Sequence, residues 1–307
     1  MPRSGVFSRT LKQHLPVHLS LFTVSLIYGA TFTIAKEVMP HYIAPYGFIL
    51  LRVATACLLF LAFHALFIRE KIHRKDILPF AISAFFGVAA NMLMFFKGLA
   101  LTTPVNGAVL MLVTPVFVLL TELLRSREMP GMIKTAGVLL ACTGAVLLIA
   151  GKEFSFHPET ALGDLLILLN AVSYAVYLVH VKSLLKRYHP VTVSKWNFLL
   201  GVFMVLPFGF HEMKAVNWQS FEISTWIYVG FVLFGTTFLT YLLNAYALQK
   251  APAALVGAYI YLQPVVAVAI ALISGKDQLS MEKIIFTLLI FTGVYLVSRK
   301  QKSTSST

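Results

Sequence analysis

Residues 98–117 read GLALTTPVNGAVLMLVTPVF, and residues 247–266 read ALQKAPAALVGAYIYLQPVV. The two stretches align at a constant offset of 149, with Gly98-Leu99 on Ala247-Leu248 and Pro115-Val116 on Pro264-Val265. The same offset carries Glu128 onto Asp277 and Gly144 onto Gly293. Earlier in the chain, Tyr28-Gly29 through Lys36 falls on Tyr174-Ala175 through Lys182 at an offset of 146. Pro45 and Arg52 fall on Pro190 and Asn197 at 145, and small loop insertions account for the drift. The chain therefore repeats itself once.

Both copies are apolar throughout. Hydrophobic residues make up 58% of the 307 positions and charged residues only 12%. A soluble core of this size cannot hide that much apolar surface, and a disordered chain carries far more charge. The net charge of +13 would suggest nucleic acid in a soluble protein. In a membrane protein it reflects Lys and Arg gathered in cytoplasmic loops. Cys57 and Cys142 both sit in apolar runs, which argues against a disulfide framework or a metal cluster.

About 20 apolar residues cross a bilayer as one helix. Ten such stretches are predicted: 18–35, 46–68, 77–96, 104–124, 133–150, 161–181, 191–210, 224–247, 253–274 and 283–298. The first is too long for a signal-peptide core and lacks a cleavage site, so it reads as a retained span. The segments outside the spans are short. With the N-terminus in the cytoplasm, they place eighteen Lys and Arg inside and six outside, with Arg52 left within a span.

The predicted class is an all-α membrane protein with ten transmembrane helices in two inverted five-helix repeats. Residues 1–17 form a cytoplasmic tail, 18–150 the first repeat, 151–298 the second, and 299–307 a second cytoplasmic tail. Five crossings is an odd number, so the second copy enters from the opposite side. Inverted repeats of this kind are the architecture of alternating-access transporters, with the substrate held near the midplane.

At this point the chain resembles a known family, the EamA group of the drug/metabolite transporter superfamily. The resemblance spans nearly the whole chain. It rests on Tyr28-Gly29-Ala30-Thr31-Phe32, where the family usually has Trp-Gly, and on the spacing of Pro45 and Arg52. It rests most on Gly98-Leu99, Thr102-Thr103, Thr114-Pro115-Val116-Phe117, Arg127-Glu128, Gly137 and Gly144, echoed by Ala247-Leu248, Gln263-Pro264-Val265 and Gly293. It implies a ten-helix bundle that exports small metabolites.

Pro115 and Pro264 are expected as helix kinks at matching positions, which free the carbonyls of Met111 and Ile260. Paired interruptions in corresponding helices point to a transport site, although proline also serves as a plain packing kink. Polar side chains recur at helical spacing. Asn170, Ser173, Tyr174 and Tyr177 share one face of the sixth span, and Thr237, Thr240, Tyr241 and Asn244 one face of the eighth. Of these, Tyr174, Tyr177, Tyr241 and Asn244, with Tyr28, Arg52, Asn91, Asn106, Tyr259 and Gln263, form the candidate substrate-binding set. Each alone also reads as an interhelical hydrogen bond. Gly137, Ala141, Gly144 and Ala145 form a small-residue stripe for close packing against another helix.

Acids look almost absent from the spans. Glu128 and Asp277 read as loop ion pairs. His64, His180 and Glu122 lie toward the inner side, so facilitated export or exchange fits better than a midplane proton relay. Arg52 sits about two turns into the second span. It either snorkels to the outer headgroups, meets a carbonyl or Glu37, or faces a cavity and attracts an anionic group.

There is no nucleophile elbow, no zinc-protease motif and no P-loop, so an enzyme is not expected and ATP hydrolysis by this chain is excluded. The function expected is transport, as an exporter, of amino-acid-like or aromatic metabolites across the cell membrane. The alternatives are a membrane-embedded enzyme and a non-transporting membrane protein. The expected partners are a small-molecule substrate and the lipid bilayer. No nucleic acid, cofactor or metal is expected, and a homodimer is left open.

Overall fold

A computed structural model describes residues 4–127, 131–149, 158–273 and 280–298. The boundary expected at 150–151, the residues Glu128, Lys152, Lys276 and Asp277, and the tail 299–307 lie outside the described residues.

The described residues are helical, with no strand among them. Seven helices are long and apolar enough to cross a membrane: α1 (Leu15–Val38), α2 (Pro45–Ile68), α3 (Arg74–Leu101), α4 (Asn106–Ser126), α6 (Ala161–Leu185), α7 (Pro190–Lys214) and α8 (Ile223–Lys250). Three shorter apolar helices complete the described set: α5 (Met132–Leu147), α9 (Ala253–Val266) and α10 (Ile284–Ser298). The N-terminal stretch expected as a tail is already helical from Ser4, because only Pro16 interrupts its helix-forming sequence.

Apolar surface faces outward as well as inward. Leu124 is 81% exposed and Leu58 68%. Water would penalise such a surface, whereas lipid chains accept it. The helix ends fall into two groups. At one end, the backbone N–H of Gly47 donates to Glu212 (2.9 Å). At the other, Asp76 pairs with Arg187 and accepts from the Tyr188 hydroxyl (2.6 Å), and Lys182 Nζ donates to the Ala251 carbonyl.

Small residues set the closest helix pairs. The stripe Gly137, Ala141 and Gly144 of α5 packs on α10, where the Gly293 backbone touches Gly137 and Ala141. α3 crosses α6 where Gly98 and Gly163 meet, each facing the other's carbonyl oxygen.

The prolines do not bend a continuous helix. α4 stops at Met111, turns through Leu112 and Val113, and restarts at Thr114 with Pro115 in the new first turn. α9 stops at Ala258 and passes through a tight turn at Tyr259–Tyr261. It then restarts at Leu262, with Pro264 in the new first turn. A proline there gives up an N–H that has no helical partner anyway, so the break sits before each proline rather than at it.

Candidate functional site

Two helices carry wide turns at matching positions. Residues Phe85–Ala89 of α3 and Phe231–Leu239 of α8 are π-helical. The offset of 149 places 85–89 on 234–238, inside the second segment. A π turn leaves carbonyls short of their usual donors, and side chains fill the gap. Ser173 Oγ donates to the Phe86 carbonyl (2.8 Å) and the Tyr241 hydroxyl to that of Gly87 (2.6 Å). Asn170 Nδ2 donates to the Asn91 carbonyl (2.7 Å) and Thr237 Oγ1 to that of Val232 (2.8 Å). The polar faces read from the sequences of α6 and α8 are thus spent largely on the opened backbone of α3 and α8.

Position 87 must be glycine, because a Cβ there would lie 2.2 Å from the Tyr177 ring. The Tyr241 bond is a testable piece of this wiring. Tyr241→Phe should leave the Gly87 carbonyl unsatisfied and lower stability by about 1–3 kcal/mol. Thermal unfolding in detergent checks it, and an unchanged midpoint would remove that bond from the account.

Beside these π segments lies a cavity of about 600 Å³, mouth included. Tyr28, Thr31 and Phe32 of α1 and Arg52 of α2 line it, with Asn91, Met92, Phe95 and Phe96 of α3. Met111 of α4, Asn170 and Tyr174 of α6, Thr236 and Tyr241 of α8, and Ile260 and Gln263 of α9 complete the wall. Met111 and Ile260 sit at the two helix breaks, so both breaks border this space. No lining residue is an acid.

One wall is aromatic. Phe32 meets Phe95 edge-on (ring centroids 5.6 Å apart), and Phe95 meets Phe96 the same way (5.0 Å). The Arg52 guanidinium lies over the Phe96 ring, 4.0 Å from its centroid. Its Nε donates to Thr237 Oγ1 (2.9 Å). Arg52 is buried, so it neither snorkels to an interface nor pairs with Glu37. It faces inward because helix packing places α2 between α7 and α8.

Six of the ten candidate residues therefore share the cavity: Tyr28, Arg52, Asn91, Tyr174, Tyr241 and Gln263. Two more lie one layer away, with Tyr177 stacked on Tyr174 (5.9 Å) and Asn244 Nδ2 donating to the Tyr174 hydroxyl (3.4 Å). Tyr259 turns instead toward α1, where its hydroxyl bonds His18 Nδ1 (2.6 Å). Asn106 belongs to a polar cluster at the start of α6, within 3.4 Å of Asp164.

Sequence reasoning missed the phenylalanine wall, since Phe carries no polar signal among so many apolar neighbours. It also missed Asp164, a buried acid inside the sixth span that receives hydrogen bonds from Thr102, Thr160 and Asn106. Acids are scarce in the spans, but this one is built in.

Known proteins place the chain clearly. An uncharacterized transporter from Archaeoglobus fulgidus is 28% identical, aligned over 92% of this chain and 98% of its own. The uncharacterized transporter YyaM of Bacillus subtilis is 24% identical over 93% of this chain and 94% of its own. A solved crystal structure shares the fold with a TM-score of 0.73 at 18% identity, covering 92% of this chain and 96% of that one. The EamA-like transporter family model matches twice, over residues 15–150 and 161–299. A bundle of apolar helices with a mid-span cavity, matched from end to end by that family, makes this chain a membrane protein of the EamA-like transporter family.

Proposed function

We propose that the protein exports small metabolites, amino-acid-like or aromatic solutes, through this cavity by alternating access. It sits in the cell membrane as ten crossings, two inverted repeats of five, with both termini in the cytoplasm. The observation that carries the reading is the cavity itself. Both halves of the chain line it, and it lies at two helix breaks and two π segments related by a single offset. Matched discontinuities around a midplane site are what a two-fold related transporter needs, since each half must present a hinge to the same substrate. The twofold family match supports two repeats, and the Lys and Arg bias supports the orientation.

Two measurements test it. A reporter fused after Thr307 should behave as cytoplasmic and one inserted beside Lys152 as external; the same side for both would remove the inversion. Second, with Cys57 and Cys142 replaced, cysteines at Tyr174, Tyr241 and Gln263 should react with small hydrophilic thiol reagents, and a transported solute should slow the reaction. A cysteine at Leu139, on the lipid-facing side of α5, should stay inert to the same reagents with or without solute. Inert thiols at all three cavity positions would reject the cavity as a solute path.

A further inference from the structure

Resting on that transport reading, we infer that Lys36 and Lys182 are paired latches: Lys182 holds one end of the cavity shut by binding the Ala251 carbonyl, and Lys36 binds the Thr102 carbonyl when the opposite end shuts and Lys182 lets go.

The two corners that these lysines serve are copies of each other. The offset of 149 carries Thr102 onto Ala251, and the offset of 146 carries Lys36 onto Lys182. Thr102 follows the last turn of α3 with φ −124° and ψ 178°, and Ala251 follows that of α8 with φ −127° and ψ 158°. Each N–H donates four residues back, from Thr102 to the Gly98 carbonyl (3.0 Å) and from Ala251 to that of Ala247 (2.8 Å). The next helix then starts at Pro104 or at Ala253, two residues further on in both cases. Both corners therefore place a carbonyl at a helix C-terminus. A lysine ammonium there satisfies an acceptor and meets the negative end of the helix dipole.

Only one of the two lysines is engaged. Lys182 Nζ donates to the Ala251 carbonyl. Lys36 is half-buried at the end of α1 and makes no hydrogen bond or ion pair among the described residues. The cavity leans the same way. Phe32 lies one turn before Lys36, and Phe95 and Phe96 lie two turns before Thr102; all three line the cavity. Their counterparts Leu178, Asn244 and Ala245 are buried outside it. The space thus reaches toward the corner that lacks the lysine bond and is closed toward the corner that has it. Each corner leads into a short segment that ends at a helix break, Pro104–Met111 in α4 and Ala253–Ala258 in α9. A lysine that grips the corner holds that segment against α1 or α6. Inverted copies make the same contact at opposite ends, and alternating access needs them to make it in turn.

The test is electron-spin distance measurement, continuous-wave and pulsed, on the full-length protein in lipid nanodiscs with Cys57 and Cys142 replaced by alanine. One label pair, at Glu37 and Leu101, spans the Lys36 end; the other, at Lys186 and Lys250, spans the Lys182 end. All four positions are exposed. Lys182→Met keeps an apolar stem and removes the donor. It should move the long-to-short ratio at Lys186 and Lys250 about tenfold or more toward long, as expected for a lost hydrogen bond from a charged group. The Glu37 and Leu101 ratio should move toward short. Lys36→Met should do the reverse and deplete the short Glu37 to Leu101 distances. The double variant should bring both ratios back toward the parent, and Lys182→Arg should stay close to it. A lysine that only stabilised the fold would lower the unfolding midpoint without opposite shifts at the two ends.

Two distance populations in the parent that neither methionine variant moves, or shifts of one sign from both variants, would overturn the latches and leave alternating access standing. One fixed distance at each end, in the parent and in every variant, would overturn the latches and alternating access together. Should Lys182→Met fail to fold, Lys36→Met decides alone, because it breaks no bond in this structure.

Discussion

Replacing Gly293 with leucine should cost the protein more stability than any other single substitution on the α5–α10 pair. A Cβ at 293 would lie 2.5 Å from both the Ala141 nitrogen and the Gly137 oxygen. Those are backbone atoms in the middle of a helix, so no rotamer change relieves the contact. The two helices must move apart, and the contacts on either side then loosen. Gly144 faces the Phe286 carbonyl and Gly137 the Gly293 carbonyl, so the close approach runs along the whole pair. Lipid chains are as apolar as leucine, so the packing of small residues is itself the force that holds such helices together. Overpacking a tight contact costs about 1–3 kcal/mol and more where the backbone must shift. We expect Gly293→Leu at or beyond the upper end, read as a large fall in the unfolding midpoint and in monodisperse yield. Leu288→Ala on the same helix, 59% exposed, should stay within about 0.5 kcal/mol of the parent. Equal midpoints for Gly293→Leu and Leu288→Ala would mean that the two backbones do not touch.

Much of this fold was legible because membrane helices announce themselves by length and apolarity. The small-residue stripe of α5 was readable for the same reason: Gly137, Ala141 and Gly144 return at helical spacing, and only close packing rewards that pattern. Met111 and Ile260, four residues before the two prolines, do line the cavity. What the pattern could not show was that each helix stops before its proline. That depends on the turn at Leu112 and Val113 and on the one at Tyr259–Tyr261. The π segments were hidden as well. Nothing in FFGVA marks a widened turn, because its freed carbonyls are met by Ser173 and Tyr241, far away in sequence, and within FVLFGTTFL Thr237 reads as an ordinary polar residue although it bonds the Val232 carbonyl. Tyr259, four residues before Gln263, shares a helical face with it in the sequence pattern. The tight turn between them rotates it toward His18 instead.

Asp164→Ala should destabilise the junction of α3, α4 and α6 by roughly 3–5 kcal/mol, the sum of two or three lost charge-assisted bonds and the donors they leave behind. Asp164 is 3% exposed. Its Oδ1 accepts from Thr102 Oγ1 (2.6 Å) and Asn106 Nδ2 (3.4 Å), and its Oδ2 accepts from Thr160 Oγ1 (3.1 Å). Thr102 ends α3, and Thr103 caps the start of the next helix by accepting from the Asn106 N–H (3.0 Å). The carboxylate therefore gathers the corner between α3 and α4 onto the first turn of α6, one residue beyond the Gly98–Gly163 crossing. Asp164 lies in the first turn of α6, where an acid also sits favourably in the helix dipole. The geometry adds two buried partners, Thr102 and Asn106. Asp164→Asn keeps one acceptor oxygen but loses the charge, so it should forfeit about half as much as alanine. The sharper measurement is a double-mutant cycle with Thr102→Val. A 2.6 Å hydroxyl–carboxylate bond away from water should give a coupling of at least about 1 kcal/mol. Purely additive midpoints would show that Thr102 and Asp164 act independently, and the corner would then be held by the glycine crossing alone.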